Sequence, residues 1–229
     1  MRPACLAVGL LLLAGLWFGP LPHMARQAFF AHMTLHMGVV AVAVPILTMG
    51  VAGGRLDPVS KAPRLFSPVL ASMAEFVVVW AWHAPALHEA ARHNAAGFAA
   101  EQGAFLFSGL ALWLSAFGGL PRWQPGRTAA GVIGILLTSM HMTLLGALIT
   151  LAPRPLYAHD SPSAADAALE ALCRFPGSFV AADGLSALED QQLGGAIMLF
   201  VGGASYLAGG LWLTAKLVRS HAAQREGRV

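Results

Sequence analysis

His32 and His36 lie four residues apart, with Met33 and Met37 interleaved between and after them. On a helix, positions four apart stack on one face, so the two imidazoles form one column and the two thioethers a neighbouring one. Two further histidines lie in apolar surroundings: His83, in Trp82-His83-Ala84-Pro85, and His141, between Met140 and Met142. Imidazole and thioether together suit copper better than most metals, and thioether favours the cuprous ion. His32, His36, His83, His141, Met33 and Met37 are therefore the candidate metal ligands, with Met198 as a softer auxiliary donor. Ligands to a metal that must be given away should be few and exchangeable, which mixed His/Met ligation allows. The plain alternative is a set of packing histidines bonded to backbone carbonyls. His88 and His93 follow His83 and read as solvated loop residues that could shuttle metal.

Three carboxylates matter. Glu101 begins an apolar segment, and Asp190, in Glu189-Asp190-Gln191, leads into another. Each could orient a ligand histidine by accepting its second N–H, or could cap a helix amino terminus. Glu75 lies within an apolar segment and is expected to snorkel or to pair with a loop arginine, outside the site.

The elements that position these residues are membrane spans. The chain has 229 residues, of which 57% are hydrophobic and 11% charged. A soluble globular domain carries roughly 25% charge. Six apolar segments approach or exceed the roughly 20 residues that cross a bilayer: about 4–19, 28–50, 66–87, 96–118, 128–151 and 193–218. This predicts one all-α domain over 1–229, a polytopic membrane helix bundle. The first segment, with Arg2 and a short apolar run, resembles a signal peptide, but no A-x-A-like cleavage site follows it, so it reads as a retained helix.

Lys/Arg placement orients the bundle. With the amino terminus cytoplasmic, the inner segments hold Arg2, Arg55, Lys61, Arg64, Arg122, Arg127, Lys216, Arg219, Arg225 and Arg228, ten of the fourteen basic residues. Arg26, Arg92, Arg154 and Arg174 are the four left outside. This is a positive-inside pattern with both termini cytoplasmic and a multi-pass protein of the plasma membrane. The net charge of +3 sits in short loops, where it sets topology rather than binding nucleic acid. On this orientation the histidines lie toward the outer side. At 1.5 Å per residue His36 is roughly 12 Å deep, His32 about half that, and His141 about 15 Å. The expectation is an outer layer of His32 and His83 and a deeper one of His36 and His141.

The long outer segment 152–190 is acidic and suggests a short helix over Ser163–Cys173. Cys5 and Cys173 form no metal-ligand pattern. Gly195, Gly202 and Gly209 repeat every seven residues, which suits close helix packing.

In order along the chain, Phe30 to Gly50, Trp82-His83-Ala84-Pro85, Glu101 with Phe105-Leu106 and Gly109 through Trp113, His141-Met142 with Leu145-Gly146, Pro155-Leu156-Tyr157, and Asp190-Gln191-Gln192 with Gly194-Gly195 and Met198 resemble the CtaG family of cytochrome c oxidase assembly proteins. The resemblance covers about Phe30 to Trp212. It implies a non-enzymatic, all-helical membrane protein that assembles haem-copper oxidases by supplying copper. Its partners would be an oxidase subunit, the bilayer and a periplasmic copper donor. Relatives often carry histidine where Gln102 and Phe98 stand here, and many have an additional span. Other readings are a haem-binding cytochrome using His36 or His83 with His141, a metal-free scaffold for an oxidase subunit, a proton-coupled transporter, and a protease with a Ser108/His141 dyad. The last is disfavoured because Leu106 occupies the place of a needed glycine.

Overall fold

The computed structural model describes residues 2–119, 124–157 and 185–226, with side chains through 220 apart from that of residue 124. All regular structure among them is helical. In chain order the helices are α1 (Arg2–Phe18), α2 (Leu21–Ala25), α3 (Phe29–Met37), α4 (Val44–Val51), α5 (Pro58–Lys61), α6 (Pro68–Trp82), α7 (Pro85–His93), α8 (Ala95–Phe117), α9 (Gln124–Thr150), α10 (Ala187–Ile197) and α11 (Gly203–Glu226). The helix expected over Ser163–Cys173 lies outside the described residues.

Two of these rods carry π-helical segments. Gly38–Ala43 joins α3 to α4, and Met198–Gly202 joins α10 to α11. A π turn widens the backbone and leaves carbonyls poorly served, and such segments concentrate at functional positions. Ser205 of α11 donates to one of those carbonyls, Ala41 O, at 2.6 Å.

Four rods are long and apolar enough to cross a membrane: Phe29–Val51, Ala95–Phe117, Pro125–Thr150 and Ala187–Ser220. The segment expected as one span over 66–87 is instead two helices, α6 and α7, bent by 72°. Pro85 is the cause. Its ring pushes Ala84 out of helical geometry (ψ 130°), and a new helix starts beyond it. Taken as one span, this pair brings the number to five. The 17-residue apolar α1 is shorter. His88 and His93 are therefore helical residues of α7 and not loop residues, and His88 is buried.

The rods pack around α9 and α8. Helix α9 lies against α6, α10 and α11, and α8 against α4, α6 and α7, while α1 covers α4. Helices α9 and α10 cross closely. A Cβ on Gly195 would stand 2.9 Å from Gly146 O and 2.5 Å from Thr150 Oγ1, so the backbones meet only because both sites are glycine. The other glycines of the seven-residue repeat also face the interior, Gly202 toward Met37 and Gly209 toward Trp113, and neighbouring Gly194 meets Phe29 and Met33.

At the end of the bundle away from the histidines, Asp57 ties loops together. Buried, it accepts from Gly53 N at 2.7 Å, Val59 N at 2.9 Å and Gly119 N at 2.8 Å. Burial works to raise its pKa. The three N–H donors, from Gly119, Gly53 and Val59, outweigh that and hold the carboxyl below its ordinary value.

Candidate metal centre

Helix α3 carries His32 and His36 and has no capping side chain of its own at Ala28. The cap comes from another helix. Asp190 of α10 accepts from Phe29 N at 2.7 Å and Phe30 N at 2.8 Å. A carboxylate at that position satisfies exposed donors and favours the positive end of the helix. Asp190 thus fixes the entry of α3, while α10 is capped by its own Ser186–Glu189 capping box.

The column of imidazoles faces α6, α7 and α8. His32 Nε2 lies 3.3 Å from Glu101 Oε1 on α8. The His88 ring meets the His32 ring edge-on, with centroids 4.7 Å apart. One ligating atom from each of His32, His88 and Glu101 lies within 4.8 Å of the others, and all three residues are buried. Metal–nitrogen and metal–oxygen bonds of about 2 Å could be reached from there by small side-chain rotations. Neither Glu101 oxygen makes a hydrogen bond in the structure, although the residue is 0% exposed. A buried carboxylate in that condition is costly unless a cation faces it.

One turn deeper, the His36 and His83 rings stand perpendicular with centroids 5.2 Å apart, and Phe105 packs 3.7 Å from His36. His83 Nδ1 is 2.6 Å from Val79 O. A carbonyl only accepts, so the proton is on Nδ1, and Nε2 presents a lone pair. That Nε2 and both His36 nitrogens have no hydrogen-bond partner. This is the arrangement in which a backbone carbonyl sets the tautomer of a metal-binding histidine.

Tyr157 covers the group. Its ring stacks on Phe29 at 4.3 Å and meets His88 edge-on at 4.8 Å, and its hydroxyl donates to His83 O at 2.7 Å. Gln191 Oε1 receives the backbone N–H groups of Leu156 and Tyr157. Burial raises the phenol pKa, so Tyr157 remains a donor.

The other sequence candidates fall elsewhere. His141 is buried with Phe76 as its ring neighbour at 5.2 Å, and it joins neither group. Met33 and Met37 are on a different face of α3, about 100° around it. Met33 Cγ lies 3.0 Å from the Cβ position of Gly194, and Met37 Sδ 3.3 Å from that of Gly202. Met198, fully buried, lies in the π segment between those glycines. The donors gathered at the centre are therefore imidazole and carboxylate. Ser108 Oγ donates to Phe105 O of its own helix, with no part in a dyad with His141. Gln102 Oε1 accepts from Trp17 Nε1 of α1 at 3.3 Å.

Tyr157 was not singled out by the sequence, and His88 was read there as a solvated loop residue that could shuttle metal. A signal for His88 existed: His88 and Ala91 lie three residues apart after Pro85, on one helical face that turns inward.

Comparison with known proteins gives one match. The model of the family described as cytochrome c oxidase caa3 assembly factor (Caa3_CtaG) matches residues 1–220. No curated protein and no solved structure matches the chain.

Proposed function

The chain belongs to the cytochrome c oxidase caa3 assembly factor family, and on that premise we propose that it carries copper as cargo and releases it to an oxidase subunit. The ion is received between His32, His88 and Glu101 and passes to the deeper pair His36 and His83. The observation that carries this reading is Glu101: a fully buried carboxylate without a hydrogen bond, facing imidazoles from two other helices.

Charge argues for the cuprous ion. Two neutral imidazoles, one carboxylate and Cu(I) sum to zero, whereas a divalent ion leaves a buried net charge that the surroundings must pay for. Imidazole is a good copper ligand. The deeper pair offers two nitrogen lone pairs across a 5.2 Å ring separation, which suits one ion better than an intervening porphyrin.

The bundle crosses the membrane six times in this reading, with α1 as the first span and α6–α7 as a bent third. Both termini are cytoplasmic, and the histidine end is extracytoplasmic, where a periplasmic donor could load it. The chain is a carrier and not an enzyme.

Competitive Cu(I) titration of the purified protein tests this. His32→Ala with His88→Ala should weaken binding by at least about tenfold, as loss of groups that support a metal does. His141→Ala should leave it unchanged. Equal affinity of the wild type and the double variant would leave a metal-free scaffold as the function.

A further inference from the structure

A second polar group is buried deeper in the bundle, apart from His32, His36, His83 and His88. Glu75 of α6 is 0% exposed. Rather than reaching an arginine or the surface, its Oε1 accepts from the Tyr206 hydroxyl of α11 at 2.7 Å, and Tyr206 is itself 0% exposed. One turn back on α6, Ser72 Oγ shares a hydrogen bond of 2.8 Å with Thr138 Oγ1 of α9, and Thr138 also interacts with the Glu75 carboxyl. Trp113 of α8 stacks obliquely on Tyr206 at 5.3 Å. Helices α9 and α11 thus meet α6 at one carboxyl group, and α8 packs on its tyrosine donor. Helical rise puts it about 12 Å along α6 from His83.

The charge inventory around it is decisive. On α6 there is no other charged residue. Helix α8 has only Glu101, twelve residues from Trp113 and about 18 Å away along the axis. Helix α9 has Arg127, eleven residues before Thr138, and α11 has Lys216 and Arg219, ten and thirteen residues past Tyr206, all about 15 Å or more away along their axes. The other titratable groups facing this region are Tyr206 and His141, the latter one turn past Thr138 with its ring on Phe76. No cation among the described residues is placed to balance a carboxylate here. In a low-dielectric interior an unpaired carboxylate takes up a proton rather than persist.

We infer that Glu75 is a proton-binding site in the membrane interior: an undissociated acid whose carbonyl oxygen is held by Tyr206 and whose O–H lies beside the Ser72–Thr138 hydroxyl pair. The ligand is a proton, and the site is independent of the copper centre. Oε2 makes no hydrogen bond in the structure, so the proton is not locked to a fixed acceptor. It can leave when water or a shifted helix supplies one.

Infrared spectroscopy of the full chain in lipid at neutral pH tests this. The wild type minus Glu75→Gln difference should contain the C=O stretch of an undissociated carboxyl, shifting to lower wavenumber in D2O. Carboxylate stretches in that difference would overturn the inference. If Glu75→Gln does not fold, Tyr206→Phe decides. Losing the donated hydrogen bond should move the same C=O band to higher wavenumber, and a spectrum unchanged in that region would contradict the site.

Discussion

At the scale of single residues, the shared face of His32 and His36 was legible and their partners were not: His83, expected in an outer layer with His32, stands against His36 instead. The fourfold spacing of His32 and His36 and the rise of a helix were enough to put both imidazoles on one face at two depths. Their partners could not be read the same way. His141 has nearly the depth expected of His36, but the rotation of α9 turns it to Phe76. The methionines, about 100° around α3, face the glycines of the last rod. Helix rotation is set by packing between rods, and no local pattern in one segment encodes it. Single His32→Ala and His88→Ala variants should each weaken Cu(I) binding by roughly 10–100-fold. The double variant should lose little more, because the two act on one ion. Tyr157→Phe keeps the aromatic cover and removes the bond to His83 O. It should retain copper but release it faster to a competing chelator in stopped-flow measurements.

At the scale of elements, caps and loops hold the site in place. Asp190 lies on a helix distant in sequence from the one it caps, so the sequence left its role divided between capping and ligand support. Asp190→Ala should destabilise the fold by about 1–2 kcal/mol, a typical cost for a lost cap, seen as a lower melting temperature in detergent. Copper affinity should fall with it, because α3 loses its fixed start. Asp57 is the corresponding fastener at the other end. Its carboxyl is held below the ordinary value of 3.8, so its contribution is fully present above that value and drains away as pH falls below it. Asp57→Asn should cost about 1.5–3 kcal/mol at neutral pH, and the difference from wild type should narrow in acid. The sequence read 66–87 as one span and did not show that a second helix starts at Pro85, bent by 72° from the first. That bend brings His88 back over His32.

At the scale of the whole molecule, hydropathy located three of the four long rods to within about three residues, because a bilayer-length apolar run has few alternative fates. It began the last, found at Ala187–Ser220, six residues late, because the polar first turns of that rod carry no apolar signal. Residues 28–50 were expected and Phe29–Val51 is found, and 96–118 became Ala95–Phe117. Sidedness is argued from basic residues and is open to direct test. In a Cys5→Ser, Cys173→Ser background, Arg92→Cys should react with a membrane-impermeant maleimide on intact cells, and Arg55→Cys only after permeabilisation. The reverse pattern would put the histidines on the cytoplasmic side. The central claim is that imidazoles from separate rods share one copper ion, and X-ray absorption at the copper edge of Cu(I)-loaded protein tests it most directly. The account predicts a first shell of nitrogen and oxygen scatterers at about 2 Å, with the outer-shell signature of imidazole, reduced in His32→Ala with His88→Ala. A shell dominated by sulfur, or a spectrum unaltered by those substitutions, would contradict it.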